Sequence, residues 1–274
     1  MSTDEVIPTH VDSPTELSIW TRFGRSNAIE IIPASYLRGS DIFGRLLGFS
    51  LMIISLPLIA VLVLLVRMTS RGPGLYRQVR VGKDGRIFVM YKLRSMVQDA
   101  ESEVGPVWTQ GTDDPRITPV GTFLRMSHLD ELPQLLNVAR GEMALFGPRP
   151  ERPELVHVLA DHIPNYLDRL AVKPGITGLA QINLPPDSDL ESVRRKLTLD
   201  LEYITTANLW MECRMFIWTL MRLVAIPASV ATRTCGLSRN VKPVKPRTKG
   251  PVALANVLDT QTLNDEPMFP YMVD

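Results

Sequence analysis

The sequence predicts a mostly helical α+β chain with one N-terminal membrane helix, a small β-hairpin region and amphipathic helices at a membrane surface. Residues 46–66 form a mostly apolar run without a charged residue, two short strand-like segments follow it, and later segments repeat apolar residues at helical spacing. The formal net charge of +1 excludes binding of nucleic acid by bulk charge. The two cysteines cannot build a disulfide scaffold.

The apolar run is long enough to be a membrane helix, because a bilayer core of about 30 Å needs about 20 such residues. A polar stretch precedes it, which excludes a signal peptide. Pro57 removes a backbone donor and predicts a kink, and Ser55 lies close enough to bond a freed carbonyl. Arginines flank both ends, which favours a re-entrant helix with both ends in the cytoplasm. A plain single span and a buried core helix are the alternatives.

A basic lobe with a hairpin follows the membrane segment. Residues 75–81 and 86–91 are candidate strands, and the glycines at 82 and 85 between them are typical of a hairpin turn. Positive side chains outnumber negative ones between residues 67 and 100. This lobe therefore suits anionic headgroups or anionic substrates at a membrane.

The following helices are predicted from periodicity. Residues 127–140 are the clearest helix, with a cap at Ser127 and a stop at Gly141. Residues 155–170 form a helix broken near Pro164, and residues 172–179 form a loop. Residues 192–204 and 209–224 are amphipathic, and the second segment fits either an interfacial helix or a core helix.

These segments predict four regions: a flexible arm over residues 1–38, a membrane helix kinked at Pro57 over 39–67, a folded domain over 68–226, and a flexible tail over 227–274.

Asp130 and Glu131 are the candidate catalytic pair. At a helix start the positive end of the dipole would favour their ionised forms, although a structural acidic pair is common there. One carboxylate could bind Mg²⁺ and the other could attack phosphorus. Five basic residues suit phosphate binding around such a pair: Lys92, Arg94, Arg116, Arg125 and Arg149.

Two weaker candidates compete with this pair. Asp187 and Asp189 have the spacing of a metal-dependent glycosyltransferase motif, but they follow two prolines in a predicted loop. The four histidines are scattered along the chain, which argues against a histidine metal site.

Ordered strings of residues carry a family resemblance over residues 42–224. They are Arg80-Val81-Gly82 with Gly85, Tyr91-Lys92-Leu93-Arg94-Ser95-Met96, Asp114-Pro115-Arg116-Ile117-Thr118 with Gly121 and Leu124-Arg125, Leu129-Asp130-Glu131-Leu132-Pro133-Gln134 with Asn137-Val138, Gly141-Glu142-Met143, Gly147-Pro148-Arg149-Pro150, and Lys173-Pro174-Gly175-Ile176-Thr177-Gly178 with Ala180-Gln181. With these strings the chain resembles the bacterial sugar transferases, which are monotopic polyprenyl-phosphate phosphoglycosyl transferases, in their short form.

The resemblance implies an activity and a location. A sugar 1-phosphate moves from a nucleoside-diphosphate sugar to a polyprenyl phosphate such as undecaprenyl phosphate, which initiates exopolysaccharide, capsule, O-antigen or glycoconjugate assembly. Asp130 matches the nucleophile that forms a covalent phosphosugar intermediate, and Glu131 matches the partner associated with Mg²⁺. The implied location is the inner membrane, with the catalytic domain on its cytoplasmic face. Membrane lipid is an implied partner, and a second copy of the chain and downstream glycosyltransferases are candidate protein partners.

Three departures and two alternatives accompany this assignment. The Ser-Pro pair of the family helix is Leu56-Pro57 here, the turn after the helix carries Arg71, and the loop after Gln181 differs from the family pattern. The alternatives are an inactive membrane scaffold of a polysaccharide assembly complex and a soluble glycosyltransferase that uses Asp187 and Asp189. Detergent dependence would exclude the second alternative, and release of UMP from a UDP-sugar would exclude the first.

Overall fold

The computed structural model describes residues 31–98, 100, 114–187, 189–224 and 226–241. Residues 1–30 of the predicted arm and 242–274 of the predicted tail lie outside the described residues. Over the described ranges the fold is predominantly helical, with two small two-stranded sheets. The α-helices are α1 Ser35–Gly39, α2 Asp41–Thr69, α3 Pro119–Met126, α4 Leu135–Arg140, α5 Pro153–His162, α6 Leu179–Asn183, α7 Leu190–Thr206, α8 Leu209–Leu223 and α9 Ala228–Thr234. The strands are β1 Leu75–Val81, β2 Ile87–Leu93, β3 Ala144–Phe146 and β4 Gly175–Thr177.

The apolar run lies within α2, which is the one helix in the described part of the chain that is long and apolar enough to cross a membrane. The helix continues through Pro57. The residue four positions before Pro57 is Ile53, whose carbonyl loses its helical donor. Ser55 does not replace that donor, because its hydroxyl donates to the Met52 carbonyl at 3.0 Å. Re-entry into the cytoplasm remains a prediction.

Helix α2 packs against the rest of the protein near both of its ends. Near its start, Gly48 lies so close to α4 that a Cβ at this position would come within 2.5 Å of Val138 Cγ1. Near its end, Leu62 and Val66 are buried with Leu93 and Leu124. The helix is therefore part of the hydrophobic core, while most of its remaining apolar side chains are exposed. Its insertion into a membrane remains a prediction.

The predicted hairpin is confirmed. Strands β1 and β2 pair antiparallel, with Val79 opposite Val89. The connection turns at Asp84, which adopts a left-handed backbone with φ of 54°. The side chains of Phe88 and Met90 are buried on one face of β2. Because side chains alternate along a strand, Lys92 lies on the same face.

The helix predicted over residues 127–140 is wrong in its first half. Residues Leu129–Gln134 form a 3₁₀ turn, and the α-helix begins only at Leu135. Pro133 is the physical reason, since it has no N–H to donate to the carbonyl four residues earlier. Ser127 caps no helix start, because its hydroxyl donates to the Phe123 carbonyl at the end of α3. The stop at Gly141 is confirmed, with a left-handed φ of 80°.

The later helices agree better with the pattern. The break near Pro164 is confirmed, since α5 ends at His162 and a 3₁₀ turn Tyr166–Ala171 follows. Helices α7 and α8 match the two predicted amphipathic segments. On α8 one face is buried, while Leu209, Trp210, Ile217, Leu220 and Leu223 on the other face are exposed. The core contact of α8 is therefore established, and its contact with a membrane remains a prediction.

Three predictions at the edges of these elements need correction. The loop predicted over residues 172–179 contains β4, which pairs in parallel with β3. The arm predicted up to residue 38 includes α1, where Tyr36 donates a 2.8 Å hydrogen bond to Glu212. The tail predicted from residue 227 begins with α9, and Ala231 and Leu237 are fully buried there in the largest core cluster. Apolar residues in these segments pack onto elements distant in sequence, which local periodicity does not reveal.

Candidate active site

Asp130 and Glu131 lie in the 3₁₀ turn that precedes α4. The turn begins after His128, whose backbone is left-handed with φ of 56°, and the Glu131 amide donates to the His128 carbonyl at 3.2 Å. Asp130 is 7% exposed. The pair lies in the first turn of this 3₁₀ helix, which runs directly into α4, so an effect of the helix dipole on it remains a prediction. Charged side chains around the pair also act on it.

Asn137 holds this turn in register with β2. Its side-chain amide donates to the Val89 carbonyl at 2.7 Å, and its Oδ1 accepts from the Tyr91 amide at 3.2 Å. The same amide also donates to Glu142 at 2.7 Å. Within the described ranges, strand β2 has no neighbouring strand on this edge. The fully buried Asn137 side chain bonds the free backbone groups of that edge instead. Lys92 is thereby set beside the carboxylates.

Two cations share one oxygen of Glu131. Lys92 Nζ lies 3.0 Å from Glu131 Oε1, and Arg149 Nη2 lies 2.8 Å from the same atom. Burial opposes ionisation of Glu131, but the charges and hydrogen bonds of Arg149 and Lys92 lower its pKa well below the ordinary range. Glu131 is therefore held as a carboxylate. Burial, with a smaller effect from Arg149, lowers the pKa of Lys92.

Asp130 has the opposite electrostatic environment. Burial and the neighbouring Glu131 charge raise its pKa to about 6, although Lys92, Arg149 and Arg125 act in the other direction. Arg125 is anchored by a 2.8 Å hydrogen bond from its Nε to Ser95 Oγ. The pair therefore consists of one permanent carboxylate held by cations and one carboxylate that titrates closer to neutral pH.

The structure does not bring all five predicted basic residues to the pair. Lys92 and Arg149 contact Glu131 directly, and Arg125 acts on Asp130 through its charge. Arg94 instead donates to the Arg71 carbonyl and to the carbonyl and hydroxyl of Ser70, in the turn after α2. Arg116 makes two hydrogen bonds to Asp114, at 2.9 and 2.6 Å. Phosphate binding by Arg94 and Arg116 remains a prediction.

The competing aspartates have structural contacts in the described residues. Asp187 forms a 2.9 Å ion pair with Lys196. Asp189 caps α7 by accepting from the Ser192 amide at 2.7 Å. Ser188 between them lies outside the described residues. These contacts give both aspartates a role in holding α7 that requires no metal.

No group of three or more His, Cys, Asp or Glu side chains able to hold a metal ion occurs among the residues that the structure describes. A Mg²⁺ ion bound to a substrate diphosphate needs only one or two protein carboxylates, because phosphate oxygens and water complete its shell. Glu131, which is held in its ionised form, supplies one such carboxylate. The site therefore fits a Mg²⁺ ion that arrives with a phosphate substrate.

Sequence reasoning missed four residues that shape the site. Ser95, Asn137 and Arg80 lie within the strings that carry the family resemblance, and that position in the sequence could have identified them. Arg169 lies outside every string. It donates a 2.8 Å hydrogen bond to the Arg149 carbonyl.

The chain matches a known protein family and several known proteins. The profile of the bacterial sugar transferase family matches residues 36–225. A protein of Bacillus subtilis (strain 168), provisionally named an undecaprenyl-phosphate N-acetylgalactosaminyl 1-phosphate transferase, is 47% identical over 133 residues, which cover 48% of this chain and 72% of that protein. The exopolysaccharide production protein PSS of Rhizobium leguminosarum bv. phaseoli is 35% identical over 195 residues, which cover 67% of this chain and 92% of that protein.

Longer relatives match over the same part of the chain. The UDP-glucose:undecaprenyl-phosphate glucose-1-phosphate transferase of Escherichia coli (strain K12) is 40% identical over 169 residues, which cover 61% of this chain. The chain spans only 36% of the length of that relative. The matched region therefore corresponds to one portion of the longer proteins.

Proposed function

The chain belongs to the bacterial sugar transferase family, and we propose that it transfers a sugar 1-phosphate from a nucleoside-diphosphate sugar to undecaprenyl phosphate. The donor is a UDP-hexose, by analogy with the relatives named for UDP-glucose. The observation that carries the proposal is the buried Asp130, which lies beside a Glu131 carboxylate bound by both Lys92 and Arg149. A buried carboxylate surrounded by fixed cations suits attack on a phosphate.

The reaction has two balanced steps. An oxygen of Asp130 attacks the phosphorus that carries the sugar, the bond to the leaving phosphate breaks, and UMP departs with the bonding electrons. An oxygen of undecaprenyl phosphate then attacks the same phosphorus, and the bond to Asp130 breaks. The second step restores the carboxylate and produces a lipid-linked diphosphate sugar.

The basic residues perform separate tasks in this reaction. Arg149 presents a planar fork that matches phosphate oxygens, and its exposed fraction of 36% leaves it accessible from solvent. Lys92 is only 14% exposed, so it mainly keeps Glu131 ionised and in place. Arg125, held by Ser95, favours the ionised form of Asp130. A Mg²⁺ ion held by Glu131 would neutralise charge on the diphosphate.

The membrane arrangement in this proposal is re-entrant, at the inner membrane, with the catalytic part in the cytoplasm. Asp41 at the start of α2 forms an ion pair with Lys173, and Leu62 and Val66 near its end are buried against Leu93 and Leu124. A straight helix of 29 residues is about 43 Å long, which exceeds the bilayer core. If it spanned, one polar domain would have to contact both ends across the hydrocarbon. A bend at Pro57 avoids that cost.

The test combines turnover with capture of the intermediate. Purified protein in detergent is incubated with a panel of UDP-sugars, Mg²⁺ and undecaprenyl phosphate, and released UMP is measured. Without the lipid acceptor, intact mass should increase by one sugar phosphate less water, and peptide mapping should place the addition on Asp130.

Asp130→Asn should abolish both signals, because an amide cannot form the acyl phosphate. Asp161→Asn, which changes an exposed carboxylate on α5, is the matched control and should retain both. A parent protein that releases no UMP from any donor would instead indicate an inactive scaffold. Full turnover by Asp130→Asn would exclude the covalent mechanism.

A further inference from the structure

The turn that presents Arg149 is held through its carbonyl groups. Pro148 and Pro150 have no N–H, so the turn has few donors of its own with which to bond. Each of the carbonyls of residues 148–151 accepts a hydrogen bond from another part of the chain. In order, the donors are the Gly175 amide (2.9 Å), the Arg169 guanidinium (2.8 Å), the Arg80 guanidinium (2.8 Å) and the Val81 amide (2.9 Å).

The bond to the carbonyl of Arg149 comes from the Arg169 side chain, which two further side chains hold in place. Arg169 Nη2 also lies 2.8 Å from Asp200 Oδ2, and its Nη1 donates to the Tyr166 hydroxyl at 2.7 Å. The guanidinium carbon lies 5.2 Å from the centre of the Tyr166 ring. The side chains of Arg169 and Asp200 are only 9% and 3% exposed. A guanidinium held in this way cannot move without breaking several buried bonds.

A buried ion pair by itself adds little net stability, because desolvation offsets much of the attraction. Arg169 does more than pair with Asp200, since its second contact on Nη2 is the backbone of a residue that binds Glu131. The line of contacts runs from Asp200 through Arg169 to the Arg149 backbone, and from the Arg149 side chain to Glu131.

We propose that Arg169 is a positioning residue for Arg149, which it fixes through the Arg149 carbonyl so that the Arg149 guanidinium stays aligned with Glu131 and the substrate phosphate. The alignment of the substrate rests on the proposed function, whereas the alignment of Arg149 itself does not. Small displacements of an aligned group are costly in catalysis, and a shift of 1 Å can cost about 100-fold in rate.

The kinetic test is a double-mutant cycle. Arg169→Lys keeps the charge but cannot reproduce the planar fork, and we expect kcat/KM to fall about 10- to 30-fold. In an Arg149→Lys background the same change should cost less than about threefold, because the fork that Arg169 aligns is already absent. Tyr166→Phe removes one anchor of Arg169 while keeping the ring, and it should cause a smaller loss that also disappears in the Arg149→Lys background.

If the fold losses of the two single variants multiply in the double variant, Arg169 and Arg149 act independently. That result would overturn the proposal and leave Arg169 with a structural role. Arg239→Lys is the matched control, since Arg239 pairs with Glu202 and does not touch the turn. Its kcat/KM should equal that of the parent. Melting temperatures of all variants separate misfolding from misalignment.

A second measurement does not depend on turnover. In arginine-labelled protein, the Nε–H resonance of Arg149 is identified by its loss in Arg149→Lys. We expect this resonance to shift or broaden in Arg169→Lys and in Tyr166→Phe but not in Arg239→Lys. An unchanged resonance would overturn the proposal even if turnover fell. If the parent releases no UMP, the proposed function fails and this resonance alone decides the role of Arg169.

Discussion

Replacing Arg149 with lysine tests how the site recognises phosphate, because the charge stays and the shape changes. Arg149 Nη2 lies 2.8 Å from Glu131 Oε1, and Lys92 already supplies a point charge 3.0 Å from the same oxygen. A second lysine would therefore duplicate what is present, while the planar fork would be lost. A hydrogen bond to a charged group contributes about 1.5–3 kcal/mol. At about 1.4 kcal/mol per tenfold change, the loss of one such bond in the transition state lowers kcat/KM about 10- to 150-fold.

The assay is UMP release at saturating undecaprenyl phosphate with varied UDP-sugar. Arg152→Lys is the matched control, because it makes the same substitution three residues further on, where the guanidinium pairs with Glu154 at 3.7 Å. It should keep parental kcat/KM, and both variants should keep the parental melting temperature. Parental activity in Arg149→Lys would refute the reasoning and leave Arg149 a role in charge alone.

Three further predictions concern the pH profile, the membrane helix and the turn. Burial and Glu131 raise the pKa of Asp130 to about 6, and the proposed nucleophile must be ionised to attack, so kcat/KM should fall as the pH decreases through about 6. A decline that begins only below pH 4.5 would contradict this. Pro57→Leu restores a helical donor and removes a clash of about 3 kcal/mol, so it should favour spanning. A cysteine in the N-terminal arm, with the native cysteines removed, should react with an impermeant reagent in that variant only, and labelling of the parent would exclude re-entry. Gly175→Ala should lower the melting temperature and abolish UMP release, since the added Cβ would lie 2.1 Å from the Gly147 nitrogen; a melting temperature equal to that of the parent would show that the turn can relax.

Periodicity predicted the long elements and failed for the short ones, for identifiable reasons. Helices α7 and α8 and the β1–β2 hairpin repeat their apolar residues often enough to be recognised from sequence. Strands β3 and β4 have three residues each, which is too few for any repeat. Helix α9 was missed because only its tertiary contacts show that Ala231 is buried.

Only part of the site was predicted, because local sequence patterns do not reveal contacts between distant residues. Strand alternation carries Lys92 to the buried face, but β2 ends at Leu93, so alternation no longer governs Arg94. Arg94 turns instead to the carbonyls after α2. Arg149 was found because its flanking prolines indicate a rigid turn. Arg169 has no comparable local signal, because its importance depends on a backbone carbonyl 20 residues away.

The packing of α2 against the catalytic part has a practical consequence for producing the protein. Truncation after this helix, a common route to a soluble fragment, would uncover Leu93, Leu124 and Val138, which are at most 1% exposed in the intact chain. Exposed apolar clusters of that kind promote aggregation. The truncated fragment should therefore precipitate or require detergent even though the long apolar helix has been removed. Replacement of α2 by an unrelated transmembrane helix should fail equally, because Gly48 would be lost at the close contact with Val138.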